Sequence, residues 1–185
     1  MVCTDRIADM WTDASDDYDR IISRELRNPR DVDYWRHELD TRLGDEPRDV
    51  LDVGCGPGFF SIMLSRLGHR VTSLDASEGM LRAARRNLTW YGIEPHVRHS
   101  DVVTLDDVAD SSVDAVVSRD VVWTLHDPAA AYRRWFQVLR PGGLVLVYDG
   151  NYRTDRTGVR HSIWQALSNG LIMLTEGRRL SLIHI

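Results

Sequence analysis

The stretch Val50-Leu51-Asp52-Val53-Gly54-Cys55-Gly56-Pro57-Gly58-Phe59-Phe60 decides how the chain is read. Val50 to Val53 is a short apolar run of the kind that forms a buried strand. Three glycines at alternate positions follow, and Phe59 to Leu67 then takes up a helical apolar pattern. In such a succession the glycines let a ligand approach the main chain, and the helix start offers free N–H groups. A tight strand-to-helix turn has the same appearance, so spacing has to decide. A dinucleotide fingerprint requires a small residue three positions after the second glycine, where helix and strand pack closely. That position is Phe59, which disfavours NAD and FAD.

Working outward, short valine-rich runs alternate with helical patterns from Asp49 onward. The runs are Val50 to Val53, Val71 to Leu74, a weaker one at His96 to His99, Val113 to Val117, and Leu144 to Tyr148. Between them lie Phe59 to Leu67, Glu78 to Tyr91 and Pro128 to Leu139, the last opened by Asp127-Pro128 and stopped by Pro141-Gly142-Gly143. Strands alternating with helices predict an α/β, doubly wound, mostly parallel sheet. Upstream, residues 1–44 are polar, with Trp11, Tyr18, Ile21, Ile22, Leu26, Trp35 and Leu39 spaced for amphipathic helices. Asn28-Pro29 divides them into two. The expected organisation is a helical cap over 1–44, a core over 45–150 and a C-terminal segment over 151–185.

Asp75 ends the second strand, 23 residues after Asp52, where a carboxylate can accept both hydroxyls of a ribose. The competing reading is a helix-initiating aspartate ahead of Ser77. Asp101 follows the third strand and faces the same choice, adenine amino acceptor or local cap. Val102 and Val103 behind it suit a base-binding wall.

Composition removes several chemistries. The 185 residues contain 23 basic side chains against 28 acidic ones, a net charge of −5, and no lysine at all. Schiff-base, pyridoxal phosphate and Walker-A chemistry need a lysine amine, which a permanently charged guanidinium cannot replace. The acidic balance gives no general footprint for nucleic acid. The arginine face Arg82, Arg85 and Arg86 reads as a solvated helix surface in preference to an RNA contact. Two cysteines far apart and seven scattered histidines predict neither a disulfide framework nor a zinc site, so no metal is expected. No apolar run reaches the roughly 18 residues of a membrane span and no signal peptide is visible, so a cytoplasmic location is expected.

The segments VLDVGCGPGFF (50–60), SLDASEGML (73–81), HSD (99–101), VDAVVSRDVVWTL (113–125) and DPAAAYRRWFQVLRPGG (127–143) occur in one order with compatible spacings. Together they resemble the class I S-adenosylmethionine-dependent methyltransferases, a Rossmann-like fold, and within them the small-molecule group called methyltransferase type 11. The resemblance covers roughly residues 48–149. It implies S-adenosyl-L-methionine as cofactor, with Asp52, Gly54, Cys55, Gly56 and Gly58 around its methionine part. It further implies Asp75 and Ala76 at the ribose, Met80 beside the adenine, Asp101 and Val102 on the adenine edge, and Arg119 near the amino-acid end through its backbone. A stretch such as Trp11 to Asp19 would close over the cofactor.

Methyl transfer from a sulfonium needs an acceptor held in line and water kept out; a base is required only if the acceptor arrives protonated. Candidates around the methyl are Trp123, whose ring could attract the sulfonium or merely pack, and Tyr18, a substrate or cofactor contact or a helix-packing residue. His126 is either a general base or an exposed loop histidine. No Asn/Asp-Pro-Pro-Tyr/Phe motif follows the fourth strand, so amino-methylation of adenine or glutamine is not indicated. Asp149-Gly150-Asn151 lacks the adjacent Asp-Asn pair of magnesium-dependent catechol methyltransferases. The family's sheet ends in an antiparallel hairpin, yet only 36 residues follow Asp149. A helix over His161 to Leu174 and one strand over Arg178 to Ile185 are expected, with the hairpin incomplete and the chain truncated. The expected function is methyl transfer to a small-molecule acceptor. The alternatives are a cofactor-binding module without turnover and, weakened by Phe59, an NAD-dependent oxidoreductase.

Overall fold

Alternate residues of each central strand point into different cores, which is why these strands are apolar throughout. Val50, Ala115, Val117, Leu146 and Tyr148 pack on one side of the sheet. Leu51, Val53, Leu74, Val116, Val145 and Val147 pack on the other. The computed structural model describes residues 6–150 and the backbone of 3–5 and 179–184. Its elements run α1 (Cys3–Asp13), α2 (Ser15–Arg27), α3 (Pro29–Leu43), β1 (Asp49–Val53), α4 (Phe59–Arg66), β2 (Arg70–Asp75), α5 (Glu78–Trp90), β3 (Val97–His99), β4 (Val113–Arg119), α6 (Pro128–Val138), β5 (Leu139–Asp149) and β6 (Arg179–His184). A 3₁₀ turn at Val122–Thr124 lies between β4 and α6.

The strands lie in the order β3-β2-β1-β4-β5-β6 and every pair is parallel. The chain leaves β1 toward β2 and β3, then returns to the opposite side of β1 for β4. The carboxyl ends of β1 and β4 therefore flank the switch point, where open α/β sheets place their ligands. The five strands β3-β2-β1-β4-β5 form the doubly wound parallel sheet that was expected. β6 adds a parallel strand beside β5 in the segment expected to hold one strand, and it forms no hairpin with it. The helix expected over 161–174 lies outside the described residues.

Three expectations are corrected. The cap contains three helices, because the chain also breaks at Ala14, where no side chain caps the start of α2. The apolar stripe of α2 is Ile22 and Leu26, while Ile21 stands half exposed. On α3 the stripe Trp35, Leu39 and Leu43 recurs every four residues and is fully covered, each side chain contributing about 1.5–3 kcal/mol by burial. Finally, α6 stops at Val138, ahead of Pro141-Gly142-Gly143, and β5 begins pairing at once. Val113 faces Leu139 and Ala115 faces Leu144, so Arg140 to Gly143 form a bulge opposite the single residue Asp114 of β4. Gly142, at φ 82°, sits in the bulge in the left-handed region.

Candidate functional site

β1 delivers Gly54 to the switch point. Gly54 has φ 72°, and Val121 occupies the space that any Cβ on it would need. Its N–H and that of Cys55 both donate to Leu74 O, at 2.8 and 2.9 Å, so the loop is fastened to the end of β2. Gly56, at φ 52°, donates its N–H to Asp75 Oδ2 at 2.9 Å, and Tyr18 from the cap covers its bare α-carbon. Loop and acid are thereby fixed to each other before any ligand arrives. Gly58 caps α4 from behind the loop, against Ala84, and does not face the cleft.

Asp75 Oδ1 accepts the N–H of Ser77 at 2.9 Å, while the helix-initiating role that the sequence allowed for Asp75 falls to Ser77, whose Oγ accepts the Met80 N–H at the start of α5. Gly56 and Ser77 thus bond one carboxylate oxygen each, the Ala76 amide also bears on the group, and acceptor capacity remains on the cleft side. Burial raises the Asp75 pKa against the pull of those amides. Asp52 is more deeply placed. Ser61 Oγ donates to its Oδ2 at 2.6 Å and lies 2.7 Å from Ser73 Oγ, a closed network beneath the loop. Desolvation pushes Asp52 up to about 7.

The glycine loop and Asp75 border an open cleft. Gly54, Gly56, Asp75, Ala76, Met80 and Val102 form its core side, and Arg119, Tyr18 and His126 also line it. Cys55 and Asp52 border a smaller hollow beside the glycine loop, which Tyr18 and Arg119 share. Burial raises the Cys55 thiol well above its ordinary range, which keeps it protonated and unreactive. Val102 is held by Trp135, a fully buried residue whose Nε1 donates to Val102 O at 2.8 Å. Asp101 is not on the wall; its Oδ1 accepts the N–H of Val103 at 2.7 Å. Trp123 is also set back. Its Nε1 donates to Asp120 O at 3.0 Å and its ring meets Trp11 edge-on at 6.4 Å.

The cap roofs the cleft through Trp11 and Tyr18, whose rings lie 5.6 Å apart. It sits on bare backbone: a Cβ on Gly79 would lie 2.6 Å from Ser15 Oγ and 2.7 Å from Thr12 O. Thr12 Oγ1 is 2.9 Å from Ser77 Oγ, and Asp19 accepts from Arg86 and Asn87 at 2.6 and 2.7 Å. Desolvation, with the charge of Asp120, pushes Tyr18 up to about 12, so its phenol stays protonated.

Two functional-looking residues escaped the sequence reading. Asp120 lines the cleft in the left-handed conformation, φ 57°, where a non-glycine residue is strained. Asp149 ends β5, accepts the N–H of Trp123 at 2.8 Å and is pushed up to about 7 by desolvation. Asp120 had a faint signal, since aspartate tolerates that conformation after a strand. Asp149 partners a residue 26 positions away and had none. Among the described residues no cluster of three His, Cys, Asp or Glu side chains could hold a metal, and no helix is long and apolar enough to cross a membrane.

Residues 51–147 match the family described as methyltransferase domain. The chain is 33% identical over 147 residues to a Ruegeria pomeroyi protein named ubiquinone biosynthesis O-methyltransferase, covering 75% of this chain and 57% of that one. It is 35% identical over 140 residues to a Mycolicibacterium smegmatis protein named "Probable S-adenosylmethionine-dependent methyltransferase", covering 73% and 52%. The chain spans about half the length of these curated relatives. A solved S-adenosylmethionine-dependent methyltransferase from Aquifex aeolicus superimposes with TM-score 0.62 at 21% identity, over 84% of this chain and 85% of that one, which shows a shared fold. A glycine loop locked to Asp75 at the switch point and a family match running from β1 into β5 agree: the chain belongs to the S-adenosylmethionine-dependent methyltransferase family.

Proposed function

We propose that this protein transfers a methyl group from S-adenosylmethionine to a small-molecule acceptor. The observation that carries the reading is the bond from Gly56 N–H to Asp75 Oδ2, which presents a loop and a carboxylate to one ligand. When bound, the cofactor supplies a methyl already activated by its sulfonium. The residues around the cleft suit such a guest. Asp75 has lone pairs left for two ribose hydroxyls, Met80 and Val102 offer an apolar slot for a flat base, and the bare backbone of Gly54 and Gly56 admits a chain lying across it.

The protein's own work is then to orient and to exclude water. Trp11 and Tyr18 roof the cleft, residues 1–44 acting as cap and 45–150 as binding core. Tyr18 serves as wall or donor and not as a base, because its phenol keeps its proton at any physiological pH. His126, exposed at the rim, takes a proton from an acceptor that arrives protonated. Trp123 acts from behind the wall, holding the turn after β4. The names of the O-methyltransferase relatives favour an acceptor oxygen.

Isothermal calorimetry with S-adenosylhomocysteine tests the reading. The protein should bind it, and Asp75→Ala should abolish binding; no heat with the unaltered protein would sink the proposal. Labelled cofactor with a panel of hydroxylated and amino acceptors then separates an enzyme from a binding module without turnover.

A further inference from the structure

The carboxyl end of β3 fastens the corner that carries Asp75 at two successive carbonyls. Asp75 and His99 are partners in the parallel register of β2 and β3. The Ser100 N–H donates to Asp75 O at 3.1 Å, and His99 Nε2 lies 3.0 Å from Ala76 O. A carbonyl oxygen can only accept, so Nε2 carries the hydrogen of that bond. Ala76 O and the Ser77 N–H sit on opposite edges of one planar peptide unit. The N–H edge donates to Asp75 Oδ1 at 2.9 Å. One rigid plane is therefore held by His99 at its oxygen and by Asp75 at its hydrogen, and each bond polarises the peptide in favour of the other. Asp75 Oδ2 is held by Gly56, so the carboxylate has one tether to the glycine loop and one, through this peptide, to β3.

We infer that His99 is a positioning residue for cofactor binding: by pinning the Ala76–Ser77 peptide it holds the Asp75 carboxylate at the angle from which it accepts the ribose hydroxyls. The inference rests on the cofactor reading above. His99 is exposed and is not among the residues that line the cleft, so its effect reaches the ligand only through Asp75. A carboxylate that serves two neighbouring hydroxyls has to be oriented to within about 10–20°. Without the His99 bond, Ala76 O turns to water and the peptide plane rocks about its remaining contacts. The Oδ1 bond moves with the plane, and Asp75 then meets the hydroxyls over a spread of angles. A ligand without those hydroxyls does not register the difference.

The test compares S-adenosylhomocysteine with its analogue lacking both ribose hydroxyls, by calorimetry on the full chain. The unaltered protein should prefer the hydroxyl-bearing ligand by at least about 10-fold, as hydrogen bonds to a charged group require. His99→Leu should cut that preference by about 3- to 10-fold, the range of one neutral hydrogen bond, entirely through weaker binding of the hydroxyl-bearing ligand. Unchanged affinity for the other ligand shows that the variant is folded. His99→Gln, whose amide can donate to Ala76 O, should keep most of the preference. Should His99→Leu not fold, His99→Ser, too short to reach Ala76 O, replaces it. A leucine variant that keeps the full preference, or that loses affinity equally for both ligands, overturns the inference. So does a glutamine variant no better than leucine, or an unaltered protein that binds both ligands equally. An unaltered protein that binds neither ligand overturns the cofactor reading instead.

Discussion

The two ends of the sheet handle the same side chain in opposite ways. At the amino ends of β1 and β4, Asp49 and Asp114 share Arg140, whose Nη1 lies 2.9 and 2.8 Å from them, and Arg70 adds a 2.6 Å bond to Asp49. Hydrogen bonds from Arg70 and Arg140 hold Asp49 below the usual carboxylate range, and the Asp49 N–H with Arg140 does the same for Asp114. At the carboxyl ends, desolvation raises Asp52, Asp75 and Asp149. Matched, solvated charges serve the fold. Desolvated acids without cationic partners of their own are a thermodynamic burden that a fold does not need, and they mark where a ligand is expected.

The sharpest way to break this contrast is at Gly54. In Gly54→Ala the new methyl meets Val121 and the φ of 72° becomes strained, so S-adenosylhomocysteine binding should fall by at least ~100-fold and stability by about 2–3 kcal/mol. Adding Val121→Ala should restore part of both, as read by calorimetry and urea denaturation.

Asp52→Asn probes the burden directly. A folded-state pKa of about 7 lies above the unfolded value, so this acid's contribution to stability is fully present below about pH 4 and is lost as the pH rises through 7. The asparagine variant should lack that decline and be more stable at pH 8 by on the order of 2–3 kcal/mol, if Ser61 keeps its bond. Urea midpoints at pH 5 and pH 8 check the sign. A variant losing stability at both would show that the Ser61 and Ser73 network outweighs desolvation.

Trp135→Phe removes one bond from the wall of the cleft while keeping an aromatic ring in the core. The loss of Nε1–H to Val102 O should lower stability by about 1–2 kcal/mol and weaken cofactor binding only a few-fold. Arg140→Met, at the opposite end, should leave binding untouched. It releases the hold on Asp49 and Asp114, whose stabilisation is present above their unfolded pKa and lost as pH falls through the depressed folded values. The variant's acid-unfolding midpoint should therefore move to higher pH, by less in high salt, as followed by circular dichroism.

What the sequence disclosed and what it hid follow the range of the forces involved. β1, the glycine loop and α4 are contiguous, so periodicity and turn chemistry identify them and place Asp75 near the loop. The bounds of α5 and α6 follow from Ser77 and Asp127, whose side chains accept from Met80 and Ala130. The break at Ala14 is different, since a polar run such as Ser15-Asp16-Asp17 suits a helix interior, start or turn equally. The bulge at Arg140 to Gly143 exists because β4 and β5 pair out of step, a relation between strands that neither contains. Asp149 with Trp123, and Arg119 with Glu25, are partners 26 and 94 positions apart, joined only when the sheet and cap assemble. Gly79 reads as an ordinary helix residue until Thr12 and Ser15 rest on it.

That seat on Gly79 sets a time scale. The roof is tied down by hydrogen bonds and ion pairs, from Thr12 to Ser77, Asp19 to Arg86 and Asn87, and Glu25 to Arg119. Water and ions can replace each of these one at a time, whereas the apolar stripes of α2, Ile22 and Leu26, and of α3 have to stay docked as a unit. Local opening at the cleft is therefore confined to α1, at a pace far faster than unfolding, with α2, α3 and the sheet as a fixed floor.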